Sequence, residues 1–515
     1  MVKAVTKAME AIEKPIDVKV NILPIFGSLI HEVAYEGPCR FGDKDELTKE
    51  FDTKATAIGF KAFGERLERT FGDDPDVNAL EPMCIACSDE FFFDEEHFKK
   101  IDAVLGDVDV FFLYGNPMPR LVREIAGRYH KPIMILTNSG AITLSELSEL
   151  KNRNYPHAYG CIDWNEVVRK ARCFKTMKAL HRTRVLKMVR HEGPLFLTDD
   201  FEVEADFGVQ AMSINMHEMM DQLHSGDGTG NYTLPLRTVC NLTEEEEEEA
   251  GRITDELMAE AEECWMDRDK ILKSVRFNVL TRKLMDHFQC NAFTAQCKEC
   301  CATTRINEEQ VTYCLGHSLN NECGIASACE GDMNALHAIT ILSCLSRKAP
   351  YQSNTTPVVL DDEGEIVSKN WFSDQPCIQK YPNQLYCTWH AVPNRYMEGY
   401  DADPAPYAIG PFAANERFGA TFRYKFAEDE GKTVTLMRFN PAGTKMLVIK
   451  GEIVGGTGYD RYGCPEGIYF KVQDRDGLFH AQLEFGCHMP LVYGDYADEL
   501  VELGSMMGVE VIVFD

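Results

Sequence analysis

Val108–Thr137 reads VDVFFLYGNPMPRLVREIAGRYHKPIMILT, and this run decides the fold class. Val108–Tyr114 is an apolar strand candidate that stops at Gly115-Asn116-Pro117. Arg120–Tyr129 has its apolar residues at helical spacing, and Pro132–Thr137 is a second apolar run ending at Asn138-Ser139-Gly140. Strand, crossover helix and buried strand in succession signal a parallel sheet covered by helices. Upstream, Asp17–Phe26 (DVKVNILPIF) reads as another such strand, broken at Gly27. Loops at the carboxyl ends of parallel strands are where ligands sit. That makes Gly27, Asn116 and Asn138 candidates for pocket lining, with ordinary turn residues as the alternative. No Gly-x-Gly-x-x-Gly follows any of these strands, which argues against a dinucleotide site.

Downstream, a helix over Trp164–Thr183 leads to a strand at Val185–Val189, and Phe207–Ile214 reads as a further strand. Thr243-Glu244-Glu245-Glu246 has the form of a capping box opening a long helix. The run Glu244–Glu249 is read as a solvated first turn suited to the positive end of the helix dipole, in preference to a cation site. From Tyr351 the texture changes to short alternating runs: Thr433–Phe439, Met446–Ile453 and Gly467–Val472. That is the pattern of an antiparallel barrel or sandwich. A last helix (Ala497–Met507) and an edge strand (Val509–Phe514) close the chain. The expected fold class is therefore α/β: two parallel-sheet α/β domains, residues 1–184 and 185–350, then a mostly antiparallel β-barrel domain over 351–515.

The composition fits a soluble globular protein, with 44% hydrophobic and 26% charged residues in 515. Lys and Arg number 53 against 82 Asp and Glu, a net charge of −29. Such a surface repels phosphate backbones and anionic lipid, so neither nucleic acid nor a membrane is an expected partner. No apolar run approaches the ~20 residues of a membrane span. Glu10 and Glu13 interrupt the stretch where an export signal would lie. Nineteen cysteines, an odd number in a long chain, point to reduced thiols in a cytoplasm.

Chemistry concentrates at Gly324–Ile341, GIASACEGDMNALHAITI. A short strand, Ile325–Cys329, delivers Glu330 and Asp332 to the start of a helix, a placement suited to ligating a hard cation or moving a proton. Asp332 is either a functional acid or simply the N-cap of that helix. Glu330 stands at the mouth of an apolar strand, where a carboxylate needs a partner. Phe372-Ser373-Asp374-Gln375 supplies a further acid, and His390 follows the strand-like run Gln384–Thr388. His488 lies in a glycine-flanked turn, Phe485-Gly486-Cys487-His488-Met489. The cysteines offer a rival site: Cys84 and Cys87 form one C-x-x-C and Cys297 and Cys300 another, with Cys301, Cys314, Cys323 and Cys329 behind the second. Their separation along the chain matches no usual zinc or iron–sulfur spacing.

Taken together, Ala-Cys-Glu-Gly-Asp before a helix, Phe-x-Asp, a strand ending at His390 and Gly-Cys-His488 before a closing helix and strand resemble the L-fucose isomerase and L-arabinose isomerase superfamily. The resemblance covers about Gly324 to Asp515. It implies that Glu330 is the first metal carboxylate, serving also in proton transfer. Asp374 stands at the second acidic position, an Asp in fucose isomerases and a Glu in arabinose isomerases. His390 matches a metal histidine of the arabinose branch, and His488 the C-terminal metal histidine common to both. A homo-oligomer, trimer or hexamer, is implied, with N-terminal residues of a neighbouring subunit completing the active site. Carboxylates with one or two imidazoles suit Mn²⁺ better than a thiolate-rich zinc site. The expected activity is aldose–ketose isomerisation of a sugar or sugar derivative through an enediol, with Glu330 and Asp374 as the acid/base pair. A lyase or epimerase on the same scaffold, or a sugar-binding protein without catalysis, are the alternatives.

Overall fold

The computed structural model describes residues 12–31, 48–88, 93–115, 118–137, 140–153, 155–190, 207–224, 240–297, 304–367 and 376–515. The chain divides into two compact units, one Asp17–Lys175 and the other Met1–Ile16 with Thr176–Asp515.

The first unit is built on β1 (Val20–Ile30), β2 (Val77–Ala79), β3 (Met83–Ser88), β4 (Val110–Gly115), β5 (Ile133–Thr137) and β6 (Ala158–Gly160). All pair in parallel in the order β2-β1-β4-β5-β6, with β3 following β2 along the same edge of β1. Alternation on β4 shows how the sheet is covered. Phe111 and Leu113 join Leu121, Val122 and Ile125 of helix Met118–Tyr129 in one cluster. Phe112 and Tyr114 instead meet Phe63 of helix Lys49–Phe71 and Trp164. Buried on both faces, such strands read as continuous apolar runs.

One strand end differs from expectation. β1 does not break at Gly27 but continues to Ile30, because Gly27 is held in ladders to Ile85 and Gly115 on its two sides. Gly27 is thus a mid-strand residue and not a loop position. The glycine that ends a strand here is Gly115, at φ 89°, where a Cβ would stand 3.0 Å from the Gly27 carbonyl oxygen. Asn116 and Asn138 lie outside the described residues.

Helix Trp164–His181 leads into the second unit. There β7 (Arg184–Val189), β8 (Gln210–Asn215), β9 (Glu263–Cys264), β10 (Ala292–Ala295) and β11 (Ala326–Ala328) follow. Four of them form a parallel sheet in the order β11-β10-β7-β8. β8 begins three residues later than the apolar run at Phe207, because Gly208 takes φ 76° against the His181 ring. Helix Glu244–Glu260 opens with the capping box read from the sequence: Thr243 Oγ1 accepts from the Glu246 amide, and Glu246 Oε2 accepts from the Thr243 amide. Two of its glutamates pair with helix Arg268–His287, Glu246 with Lys283 and Glu247 with Arg276.

The remaining strands are β12 (Tyr351–Pro357), β13 (Leu385–Trp389), β14 (Ala408–Pro411), β15 (Ala420–Arg423), β16 (Thr433–Phe439), β17 (Lys445–Thr457), β18 (Gly467–Lys471), β19 (His488–Tyr493) and β20 (Glu510–Phe514). β9, β14 and β15 make a small separate sheet. The antiparallel order β16-β19-β12-β13-β18-β17 returns to β16 through a β16–β17 ladder, closing a six-stranded barrel, and β20 adds in parallel along β17. Alternate residues (Leu436, Ile449, Phe470, Met489 and Leu491 among them) converge in one cluster, the side-chain filling a barrel this small needs. Closure leaves its strands without an open edge. Among the described residues no helix is long and apolar enough to cross a membrane.

Candidate metal centre

β11 ends at Ala328, and Cys329 passes the chain to Glu330 at φ 64° and Gly331 at φ 68°. Two successive left-handed residues reverse the backbone before helix Met333–Ser346 begins. Gly331 is required: a Cβ there would stand 2.6 Å from Gln296 Cγ. Glu330, not a glycine, carries backbone strain of the kind that collects at functional sites. The turn leaves its side chain 18% exposed beside the fully buried His390, with Glu330 Oε1 3.8 Å from His390 Nε2.

His390 and His488 reach the same place from the barrel. β12 lies between β13 and β19, and its Asn354 pairs with Trp389 on one side and His488 on the other. His390 is the residue after Trp389, so it and His488 stand on either side of β12 close to Asn354, and their rings are 5.3 Å apart. His488 is the first residue of β19 and not part of the turn expected from its glycine neighbour; the turn belongs to Gly486, at φ 86°. One ligand atom from each of Glu330, His390 and His488 lies within 4.8 Å of the others, the only such group of three among the described residues. Three of the four donors expected from the sequence therefore converge. The fourth, Asp374, lies outside the described residues.

Asp332 is the N-cap the sequence offered, and it also reaches the donor cluster. Its Oδ1 caps the helix by accepting from the Ala335 amide at 2.9 Å. Its Oδ2 takes His488 Nδ1 at 2.9 Å and Arg438 Nη1 at 2.8 Å. Burial works to raise the pKa of Asp332, but the Arg438 charge and the His488 and Ala335 hydrogen bonds overcome it and hold the group far below the usual carboxylate range. An ionised carboxylate at Nδ1 fixes the proton there, the usual outer-sphere arrangement of a metal histidine, and leaves Nε2 of His488 unprotonated as an acceptor, a place the Gln352 amide nitrogen takes at 2.8 Å. Arg438 is anchored in turn by the carbonyls of Phe485 and His488.

Three neighbours escaped the sequence reading. Gln352 of β12 accepts from the Cys329 amide at 2.7 Å, and its Nε2 lies 2.8 Å from His488 Nε2. His317 is fully buried with Nδ1 2.8 Å from Ser327 Oγ, its pKa pushed down to about 3 by burial and then by His390. Arg438 alone left a trace, as a charge inside the apolar run TVTLMRF. The cysteine rival gains no support among the described residues, where no group of three potential ligands includes a thiol. Cys84 and Cys87 lie three apart on β3, so the two-residue period aims them at opposite faces of the sheet. Cys300 and Cys301 fall outside the described residues.

One carboxylate and two imidazoles form a mixed oxygen–nitrogen donor set that fits a divalent cation of borderline hardness. No family model matches the chain. It is similar to the sulfoquinovose isomerases of Priestia aryabhattai and of Priestia megaterium (strain ATCC 12872 / QMB1551). In both comparisons the identity is 22% over 451 residues, covering 82% of this chain and 88% of the relative.

Proposed function

We propose that this protein is a divalent-metal-dependent isomerase that interconverts an aldose, or an aldose derivative, with its ketose. The observation that carries the reading is the convergence of Glu330, His390 and His488 at one point. The similarity to two sulfoquinovose isomerases over most of the chain supports the reaction class, and it puts sulfonated sugars beside neutral ones as substrates.

In this reading Glu330, Asp374, His390 and His488 hold Mn²⁺. When bound, the ion supplies Lewis-acid stabilisation of negative charge developing on the substrate oxygens. The protein's own groups do the rest. Glu330, partly exposed at the mouth of β11, and Asp374 move the proton between adjacent carbons through an enediol, each such step contributing typically ~10²–10⁴-fold. Asp332 keeps the His488 proton on Nδ1, away from the cation. Residues 1–184 recognise substrate, 185–350 bring Glu330 and 351–515 bring the remaining donors. The odd cysteine count supports a reducing, cytoplasmic setting. A trimer or hexamer completes each active site with N-terminal residues of a neighbour.

The test is a panel of aldoses that includes sulfoquinovose, assayed for ketose after chelation and after Mn²⁺ is restored. Chelation should abolish turnover, and Glu330→Gln should do the same in a protein that keeps its wild-type circular dichroism. Full activity of E330Q, or turnover indifferent to chelation, overturns the assignment. In D₂O the isomerase deposits deuterium on the carbon that receives the proton, whereas a lyase changes the carbon count. Metal-independent sugar binding without turnover would favour a binding protein.

A further inference from the structure

The Sγ atoms of Cys297 and Cys329 lie 3.1 Å apart, closer than two thiols in ordinary packing. Cys297 follows the carboxyl end of β10 and Cys329 that of β11, strands that are parallel neighbours. Cys297 is half-buried and Cys329 buried, so reagents reach the pair through Cys297. Cys329 immediately precedes Glu330, and its amide and carbonyl are both held by Gln352, whose amide nitrogen also touches His488. The pair is thus joined to the cation donors by one peptide link on one side and one side chain on the other.

We propose that Cys297 and Cys329 are a dithiol–disulfide site whose oxidation by a hydroperoxide weakens cation binding at Glu330, a proposal that rests on the metal reading above. The Cys297 thiolate attacks the hydroperoxide; the O–O bond breaks, the alcohol or water leaves, and Cys297 becomes a sulfenic acid. The Cys329 sulfur then attacks the sulfenic sulfur; the S–S bond forms, the S–O bond breaks, and hydroxide leaves as water with the Cys329 proton. Two thiols lose two electrons and two protons, and the hydroperoxide becomes alcohol and water (two waters for hydrogen peroxide). A disulfide needs the sulfurs at about 2.05 Å, so closure draws them together by about 1 Å. The strained turn at Glu330, with Gly331 packed against Gln296, has little slack to absorb that movement. Reduction by a thiol reverses the step.

The experiment uses the reduced full chain, treated with hydrogen peroxide, alkylated, digested and mapped by mass spectrometry, with Mn²⁺ binding titrated before and after. A peptide pair linked through Cys297 and Cys329, lighter by two hydrogens, is expected. Mn²⁺ affinity should fall roughly 10- to 100-fold, as for other disturbances of a ligand's support, and recover with dithiothreitol. Cys297→Ser should bind Mn²⁺ like the reduced wild type with or without peroxide, and Cys329→Ala checks the result from the other sulfur. A link from either residue to Cys300 or Cys301 instead, or unchanged affinity in the linked protein, overturns the proposal. Absence of Mn²⁺ binding in the reduced wild type overturns the metal reading and this coupling with it. Normal binding without a link overturns the thiol pair alone.

Discussion

Asp332→Asn separates two jobs that one carboxylate performs. An asparagine caps a helix as well as an aspartate does, so with its oxygen toward Ala335 the helix start is kept. Its amide nitrogen then faces Arg438 Nη1 and His488 Nδ1, both donors at 2.8–2.9 Å in the native protein. Turning the amide over satisfies those donors but sets nitrogen against the Ala335 N–H. Removing one partner of a buried ion pair costs about 3–5 kcal/mol. Arg438 keeps its carbonyl partners at Phe485 and His488, which argues for the lower end, about 3 kcal/mol. His488 loses the group that fixes its proton, so metal affinity should drop roughly 10- to 100-fold, or about 1.4–2.8 kcal/mol of binding. Asp332→Ala should cost about 1 kcal/mol of stability more than D332N, the worth of the cap. Urea unfolding of both variants measures the stability terms, and the electron paramagnetic resonance signal of unbound Mn²⁺ measures the affinity. D332N binding Mn²⁺ within twofold of the wild type would reduce Asp332 to a helix cap and refute the orienting role.

Gly331→Ala meets a positive φ and a close approach to Gln296 together, so it should lower the thermal unfolding midpoint and weaken Mn²⁺ binding in the same protein. His337 is buried in helix Met333–Ser346, and burial pushes its pKa down to about 4, against the opposing Met333 carbonyl and Asp332 charge. Above pH ~6.5 the ring is neutral folded or unfolded; between ~6.5 and 4 only the unfolded chain takes the proton. The His337 contribution to stability therefore falls by about 1.4 kcal/mol per pH unit as acid is added, and its loss levels off below pH 4. His337→Met should remove that contribution from the pH dependence of urea midpoints measured from pH 7 to pH 5, leaving the parallel one of His317 in place.

What the sequence made legible was local. The cap at Asp332, the capping box at Thr243 and the strand cores in VDVFFLY and TVTLMRF need only neighbours a few residues away, and the structure contains each. Glu330 was readable because a carboxylate after an apolar strand has no ordinary reason to be there. Gln352 and His317 gave no such signal, since each becomes part of the site only through distant pairing, Gln352 with His488 and His317 beside His390. β1 misled for the related reason that Gly27 behaves as a breaker in isolation and as a ladder residue once β3 and β4 flank it.

The two imidazoles flank β12 near Asn354, and β19, the partner strand that brings His488, arrives more than a hundred residues later in the chain. Loop closure over that distance is slow, and pairings of this kind form late. A ring of strands also tolerates no partial register, so half-assembled chains lack the spacing at which the donors cooperate. Cation capture would then mark the completion of folding rather than guide it. Newly made protein would stay blind to the ion until its last strands had docked.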